Sequence, residues 1–210
     1  MKKIVIFDMD GTLIDTKKDI TISINYVRDI KYNLKPVSEA FVVESINKEI
    51  RNLPKLFYGT EIYEDDARVL FEKHYKKQCI KNPYLYDGIL QVLLELKSKD
   101  VKMSVATNAP TKFAQIMLEY LQVDKHFDMI IGADKVKNSK PDPQMLNDIL
   151  CFYGYVKNSD KAWMIGDNSK DMLSAKNAQI NSIFATWGFS PNGKHDTLVL
   201  NPKDILDIVL

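Results

Sequence analysis

Four short stretches of this chain carry polar groups whose types could act together, and three of them stand directly behind apolar runs. The first is Asp8-Met9-Asp10-Gly11-Thr12, which follows Ile4-Val5-Ile6-Phe7. Alternate carboxylates on chain leaving a strand can both reach one site, and a glycine beside them lets backbone amides approach an anion closely. The second is Thr107-Asn108, a hydroxyl and an amide suited to phosphate oxygens, behind Val105-Ala106. The third is Lys140, within Ser139-Lys140-Pro141-Asp142-Pro143, where proline suits the first turn of a following helix. The fourth is Gly166-Asp167-Asn168-Ser169-Lys170-Asp171, behind Trp163-Met164-Ile165. Plainer readings exist for most of these. An acidic pair can be a solvated loop, and a single lysine is commonly a surface residue. Asp171 suits the first turn of a helix capped by Asn168 or Ser169. Asp167, behind a glycine at the end of an apolar strand, has no such reading. All four stretches are expected at strand ends, where ligands bind in open α/β sheets, and this points to one anion-handling site.

The elements that would carry these groups can be read from hydrophobic periodicity. Ile4 to Phe7 is continuously apolar and β-branched, the pattern of a strand buried on both faces. Similar runs recur at Lys102 to Ala106, Met129 to Ile131, Ala162 to Ile165 and Ser182 to Ala185. Between them, Ile89, Val92, Leu93 and Leu96 form one helical stripe, Phe113, Ile116, Met117 and Tyr120 another, and Met145, Leu146, Ile149 and Leu150 a third. Strands alternating with helices predict an α/β fold with a parallel sheet. The rhythm breaks between residues 16 and 83. Helical patterns there cover Lys17 to Tyr32, Ser38 to Ile50 and Glu64 to Ile80, with Pro36, Pro54, Gly59 and Pro83 as punctuation. The expected organisation is a core of residues 1–15 and 84–210 with an all-helical insertion at 16–83. That insertion is either a cap over the strand ends or a peripheral bundle.

Bulk properties exclude several classes. Of 210 residues, 45% are apolar and 27% charged, and 29 basic residues face 28 acidic ones. Basic residues are interspersed with acidic ones, so no nucleic-acid footprint is expected. Cys79 and Cys151 are isolated from each other and from metal-ligand spacing, which predicts reduced thiols and a cytoplasmic protein. The apolar run at the start stops at Asp8, too early for a signal peptide, and no segment reaches the roughly 20 apolar residues of a membrane span. His74, His126 and His195 have no partners at ligand spacing and read as surface or packing residues.

Taken together, the four stretches resemble the signature of the haloacid dehalogenase superfamily, over essentially the whole chain. Asp8 to Leu13 resembles the first motif, Thr107 the second, Lys140 the third and Gly166 to Asp171 the fourth. The resemblance implies a Rossmann-like core with the first strand central and a small helical cap. Ala185-Thr186-Trp187-Gly188-Phe189 is similar to a segment of the phosphoglycolate phosphatase-like branch. The family pattern implies a Mg²⁺-dependent phosphatase. Mg²⁺ would be held by Asp8, the backbone carbonyl of Asp10, and Asp167, with Asp171 as a further ligand or a holder of ligand waters. Asp8 would be the nucleophile that forms an aspartyl-phosphate, and Asp10 the acid and base, with Thr12 as its hydrogen-bond partner. Thr107, Lys140 and the amides near Asn108 and Gly11 would bind phosphate oxygens. Arg51, behind the second insertion helix, either pairs with a carboxylate on the leaving group or is an exposed helix-end residue.

The implied substrate is a small phosphomonoester, with phosphoglycolate leading, handled by a monomer or small homo-oligomer without membrane or nucleic-acid partners. Two alternatives remain open from sequence. A phosphosugar mutase of the same superfamily carries both acidic residues of the first motif. A receiver-like phosphoacceptor module also joins acidic residues, a Thr and a Lys around Mg²⁺, but has no long helical insertion.

Overall fold

In a computed structural model of the chain, covering residues 1–48, 52–190 and 197–210, the elements run β1 (Lys3–Phe7), β2 (Ile14–Asp15), α1 (Lys17–Tyr32), α2 (Glu39–Asn47), α3 (Leu53–Tyr58) and α4 (Asp65–Gln78). They continue as β3 (Tyr84–Leu85), α5 (Ile89–Ser98), β4 (Lys102–Ala106), α6 (Thr111–Tyr120), β5 (Met129–Ile131) and α7 (Gln144–Phe152). The last are β6 (Lys161–Gly166), α8 (Ser169–Asn177), β7 (Asn181–Ala185), β8 (Leu198–Val199) and α9 (Asp204–Val209).

Six strands form one parallel sheet in the order β5-β4-β1-β6-β7-β8, while β2 and β3 pair separately. Strand β1 can be central because Ile4 to Phe7 are all apolar and all fully buried. Alternate residues of a strand face opposite sides. Ile4 and Ile6 pack with Met145, Leu146 and Ile149 of α7 and with Met164 of β6. Phe7, on the other side, meets Phe127 edge-on at 6.2 Å between ring centroids. Val5 stands level with Met103 on β4 and Trp163 on β6. After β5 the chain passes through α7 to β6, on the far side of β1. The carboxyl ends of β4, β1 and β6 therefore lie side by side at the point where strand order reverses, which is where open α/β sheets bind ligands.

The chain divides into two compact units, Met1–Asp15 with Leu85–Leu210, and Thr16–Tyr84. In the second, Ile24 and Val27 of α1 share a core with Val42, Phe57, Tyr58 and Ala67. The buried side of α1 also carries Asp19 and Ser23. Asp19 accepts hydrogen bonds from Asn82 N at 2.9 Å, Asn82 Nδ2 at 2.6 Å and Gln78 Nε2 at 2.7 Å. Ser23 Oγ lies 2.9 Å from His74 Nδ1, and the His74 ring stacks on Tyr26.

Helix α3 and strand β8 are absent from the periodicity. Pro54 and Gly59, which mark breaks in the sequence, here open and close one helix. Pro54 sits in the first turn, Asn52 caps it by accepting from Lys55 N, and Gly59 ends it at φ 76°. Strand β8 has two residues, too few to show any period. Among the described residues no helix is long and apolar enough to cross a membrane.

Burial holds the His74 imidazole below its ordinary range, and burial does the same to His126. A group that binds protons less readily when folded costs stability as pH falls below its unfolded pKa of about 6.5. Acidification from about pH 7.5 to about pH 5 should therefore lower the Tm of the wild type more than that of His74→Gln, which keeps only the His126 contribution. Equal shifts for the two proteins would show that folding does not hold His74 neutral.

Candidate active site

The ladder between β1 and β6 extends one residue past β1, with Asp8 N donating to Ile165 O at 2.8 Å. This fixes Asp8 at the carboxyl rim of the sheet. The chain then turns sharply, and the N–H groups of Thr12, Leu13 and Ile14 all converge on the Met9 carbonyl. Gly11 takes φ +86°, and a Cβ there would lie 2.4 Å from an Asp167 carboxylate oxygen. Its N–H donates to Ile14 O at 2.9 Å. The amide expected to face an anion is thus engaged inside the turn. What requires glycine at position 11 is the left-handed backbone together with the approach of Asp167.

Lys140, expected at a strand end like the other three stretches, instead reaches this rim from a loop ahead of α7 and is 4% exposed. Its ammonium donates to Asp8 Oδ1 at 2.7 Å, Asp171 Oδ1 at 2.6 Å and Ala106 O at 2.6 Å. Three protons meet three acceptors, so the buried charge is fully hydrogen-bonded. Burial alone would lower the Lys140 pKa, but the carboxylates of Asp171 and Asp8 outweigh it and the net direction is upward.

Asp167 follows β6 and is 2% exposed. Its Oδ1 accepts from the Thr12 hydroxyl at 3.2 Å and its Oδ2 from Phe189 N at 2.6 Å. Thr12, expected to serve Asp10, therefore donates to Asp167. Burial, and then the neighbouring charges of Asp8 and Asp171, push the Asp167 carboxyl well above the usual carboxylate range. Asp171 lies in the first turn of α8, where its Oδ2 accepts from Asn168 N at 3.1 Å in a capping box. Burial raises it, Lys140 pulls it down, and its pKa settles at about 6.

Asp8, Asp167 and Asp171 each offer a carboxylate oxygen, and these oxygens lie within 4.8 Å of one another. Three carboxylates against one ammonium leave two negative charges uncompensated when all are ionised. A cluster of hard oxygens without His or Cys suits a divalent cation such as Mg²⁺ rather than zinc. The residues present fit the metal that the resemblance implies.

Strand β4 supplies the other side of the rim. Thr107 N donates to Ile131 O at 2.9 Å, and its hydroxyl accepts from Ala109 N at 3.1 Å. That use of the oxygen leaves the hydroxyl proton to donate elsewhere. Asn108, expected to face phosphate, directs both ends of its side chain at the backbone of Lys140. Asp10 lies in the turn after β1, partly buried and bridged to Ile14. Arg51 lies outside the described residues.

The family model for the haloacid dehalogenase-like hydrolases matches residues 5–185, most of the chain. The chain belongs to this family. Members are enzymes, and the curated relatives that the chain resembles are named phosphatases. A phosphoglycolate phosphatase of Colwellia psychrerythraea is 30% identical, over 90% of this chain and 86% of its own length. An N-acetylmuramic acid 6-phosphate phosphatase of Pseudomonas aeruginosa is 27% identical, over 99% and 94%. Among solved structures, that of a predicted phosphoglycolate phosphatase from Haemophilus somnus superposes with a TM-score of 0.85 at 25% identity, covering 100% of this chain and 98% of its own.

Two contributors to this haloacid dehalogenase-like site are not legible as individual residues in the sequence. The Phe189 amide holds Asp167, and Gly188 leaves room for it. A Cβ at Gly188 would lie 2.3 Å from both Asp167 Cβ and the Gly11 carbonyl oxygen. The only signal was that both fall in the segment Ala185 to Phe189, which resembles the phosphatase branch. Displacing a group that orients a metal ligand typically lowers metal affinity by about 10–100-fold. Gly188→Ala should therefore weaken Mn²⁺ binding on that scale, read by electron paramagnetic resonance, while circular dichroism stays as in the wild type. Undiminished Mn²⁺ affinity would show that Asp167 does not need this packing.

Proposed function

We propose that this chain is a Mg²⁺-dependent phosphomonoester hydrolase that forms an aspartyl-phosphate on Asp8. The observation that carries the reading is the convergence of Asp8, Asp167 and Asp171 within 4.8 Å around the buried Lys140 ammonium. Asp8, the carbonyl of Asp10, Asp167 and Asp171 are the groups that would hold the ion. Bound there, Mg²⁺ would offset the repulsion between a carboxylate and a phosphate dianion and polarise the phosphoryl oxygens. Lys140 holds Asp8 in one orientation for attack. Its protons already have acceptors, so what it offers the incoming phosphoryl group is positive charge.

Asp8 attacks phosphorus, and the bond from phosphorus to the ester oxygen breaks. Asp10 gives its proton to the departing oxygen, then takes one from the water that cleaves the acyl phosphate and regenerates Asp8. The Thr107 hydroxyl proton and the Asn108 backbone N–H bind phosphoryl oxygens. The substrate class is small phosphorylated metabolites, because relatives across the length of the chain are named for phosphoglycolate and for N-acetylmuramic acid 6-phosphate. Phosphoglycolate leads, being named more often among those relatives.

A panel of phosphomonoesters assayed for phosphate release tests this reading. Release should occur without a bisphosphate activator, which separates hydrolysis from mutase chemistry. It should stop with a chelator and return with Mg²⁺. Asp8→Asn should reduce turnover by more than about 10³-fold, and Asp10→Asn should slow it sharply or accumulate phosphoenzyme. Turnover by Asp8→Asn near the wild-type rate would overturn the nucleophile assignment.

A further inference from the structure

Lys140 sits on a stretch without helix or strand, between a short 3-10 turn at Ala133–Lys135 and α7. A loop backbone alone is a poor support for an ammonium that must meet three acceptors at once. The geometry points to Asn108 as the positioning residue that gives this loop a fixed support. Asn108 Oδ1 accepts from Lys140 N at 3.0 Å, and Asn108 Nδ2 donates to Lys140 O at 3.0 Å. A carboxamide carries one acceptor and one donor in a plane, as a peptide group does. It therefore reproduces the pair of hydrogen bonds that a residue exchanges with its opposite on an antiparallel strand. Lys140 is in effect paired to the end of β4, although no strand forms there.

The support is rigid because Asn108 stands two residues beyond β4, whose neighbour is the fully buried β1. The same strand end grips both ends of the lysine. Ala106 O takes the ammonium and Asn108 takes the backbone. Thr107, between them, keeps its hydroxyl proton for substrate. Asn108 thus acts through Lys140 rather than through a side-chain contact with phosphate. The kinetic consequence rests on the phosphatase reading, but the structural consequence does not.

Two substitutions and a label test this. Asn108→Ala removes both hydrogen bonds. Asn108→Asp has nearly the same shape but no donor for Lys140 O. The proteins are acetylated with acetic anhydride, and the modified lysines are located by peptide mass spectrometry. In the wild type Lys140 should be protected. In both variants it should acetylate faster, while lysines remote from the site, such as Lys2 and Lys102, keep their wild-type rates. With the best phosphomonoester of the panel, kcat should fall about tenfold or more with KM nearly unchanged. Wild-type protection of Lys140 in either folded variant would overturn the proposal. A raised KM with kcat retained would also overturn it, because that marks a direct substrate contact. Should Asn108→Ala fail to fold, the near-isosteric Asn108→Asp decides. Labelling needs no substrate, so it reads the tether even if the chain hydrolyses no phosphomonoester.

Discussion

One ammonium buried among three carboxylates is the constraint from which the rest of the site follows. Lys140 touches Asp8 and Asp171 directly, and Asp167 completes the cluster without a cationic side chain of its own among the described residues. Burying like charges together is unfavourable unless something compensates. The upward pull on the Asp167 carboxyl is the electrostatic record of that cost. Part of the compensation is internal, from Lys140 and from the hydrogen bonds that Thr12 and Phe189 donate. The rest requires positive charge from outside the chain. The buried acidic cluster of this haloacid dehalogenase-like hydrolase is therefore suited to a divalent cation.

The fold serves this cluster by bringing distant chain to one rim. Strand β1 can sit at the centre of the sheet only because Ile4 to Phe7 tolerate full burial. With β4 and β6 beside it, three strand ends deliver Asp8, Thr107 and Asp167 without help from long side chains. Lys140 is the exception, since it comes from a loop and reaches in. Glycines then set how closely the parts approach. Side chains at Gly11, Gly166 or Gly188 would each collide with Asp167 or Asp171. Those positions are small because carboxylates pass beside them.

Much of this was legible in the residues. The parallel sheet was readable because buried strands are continuous apolar runs, and α1 because Ile20, Ile24 and Val27 keep helical spacing. Asp8, Thr107 and Asp167 could be singled out because polar groups directly behind such runs are uncommon without a site, whereas Lys140 stood out only beside a proline that suits a helix start. What stayed hidden were the pairings. Sequence gives the donor in Thr12 but not whether Asp10 or Asp167 receives it. It shows an amide at Asn108 but not that a loop many residues away presents a peptide group to it. Backbone contributors, such as the Ala106 carbonyl and the Phe189 amide, leave no side-chain trace at all. The helix from Leu53 to Tyr58 was masked because proline and glycine serve equally as breakers and as helix ends.

Asp8, Asp167 and Asp171 are proposed to form a single divalent-cation site. Anomalous diffraction from crystals grown with Mn²⁺ in place of Mg²⁺ tests it most directly. One peak is predicted among these three carboxylates, with Lys140 still bonded to the cluster. A Mn²⁺ peak elsewhere on the protein, with none between Asp8 and Asp167, would contradict it.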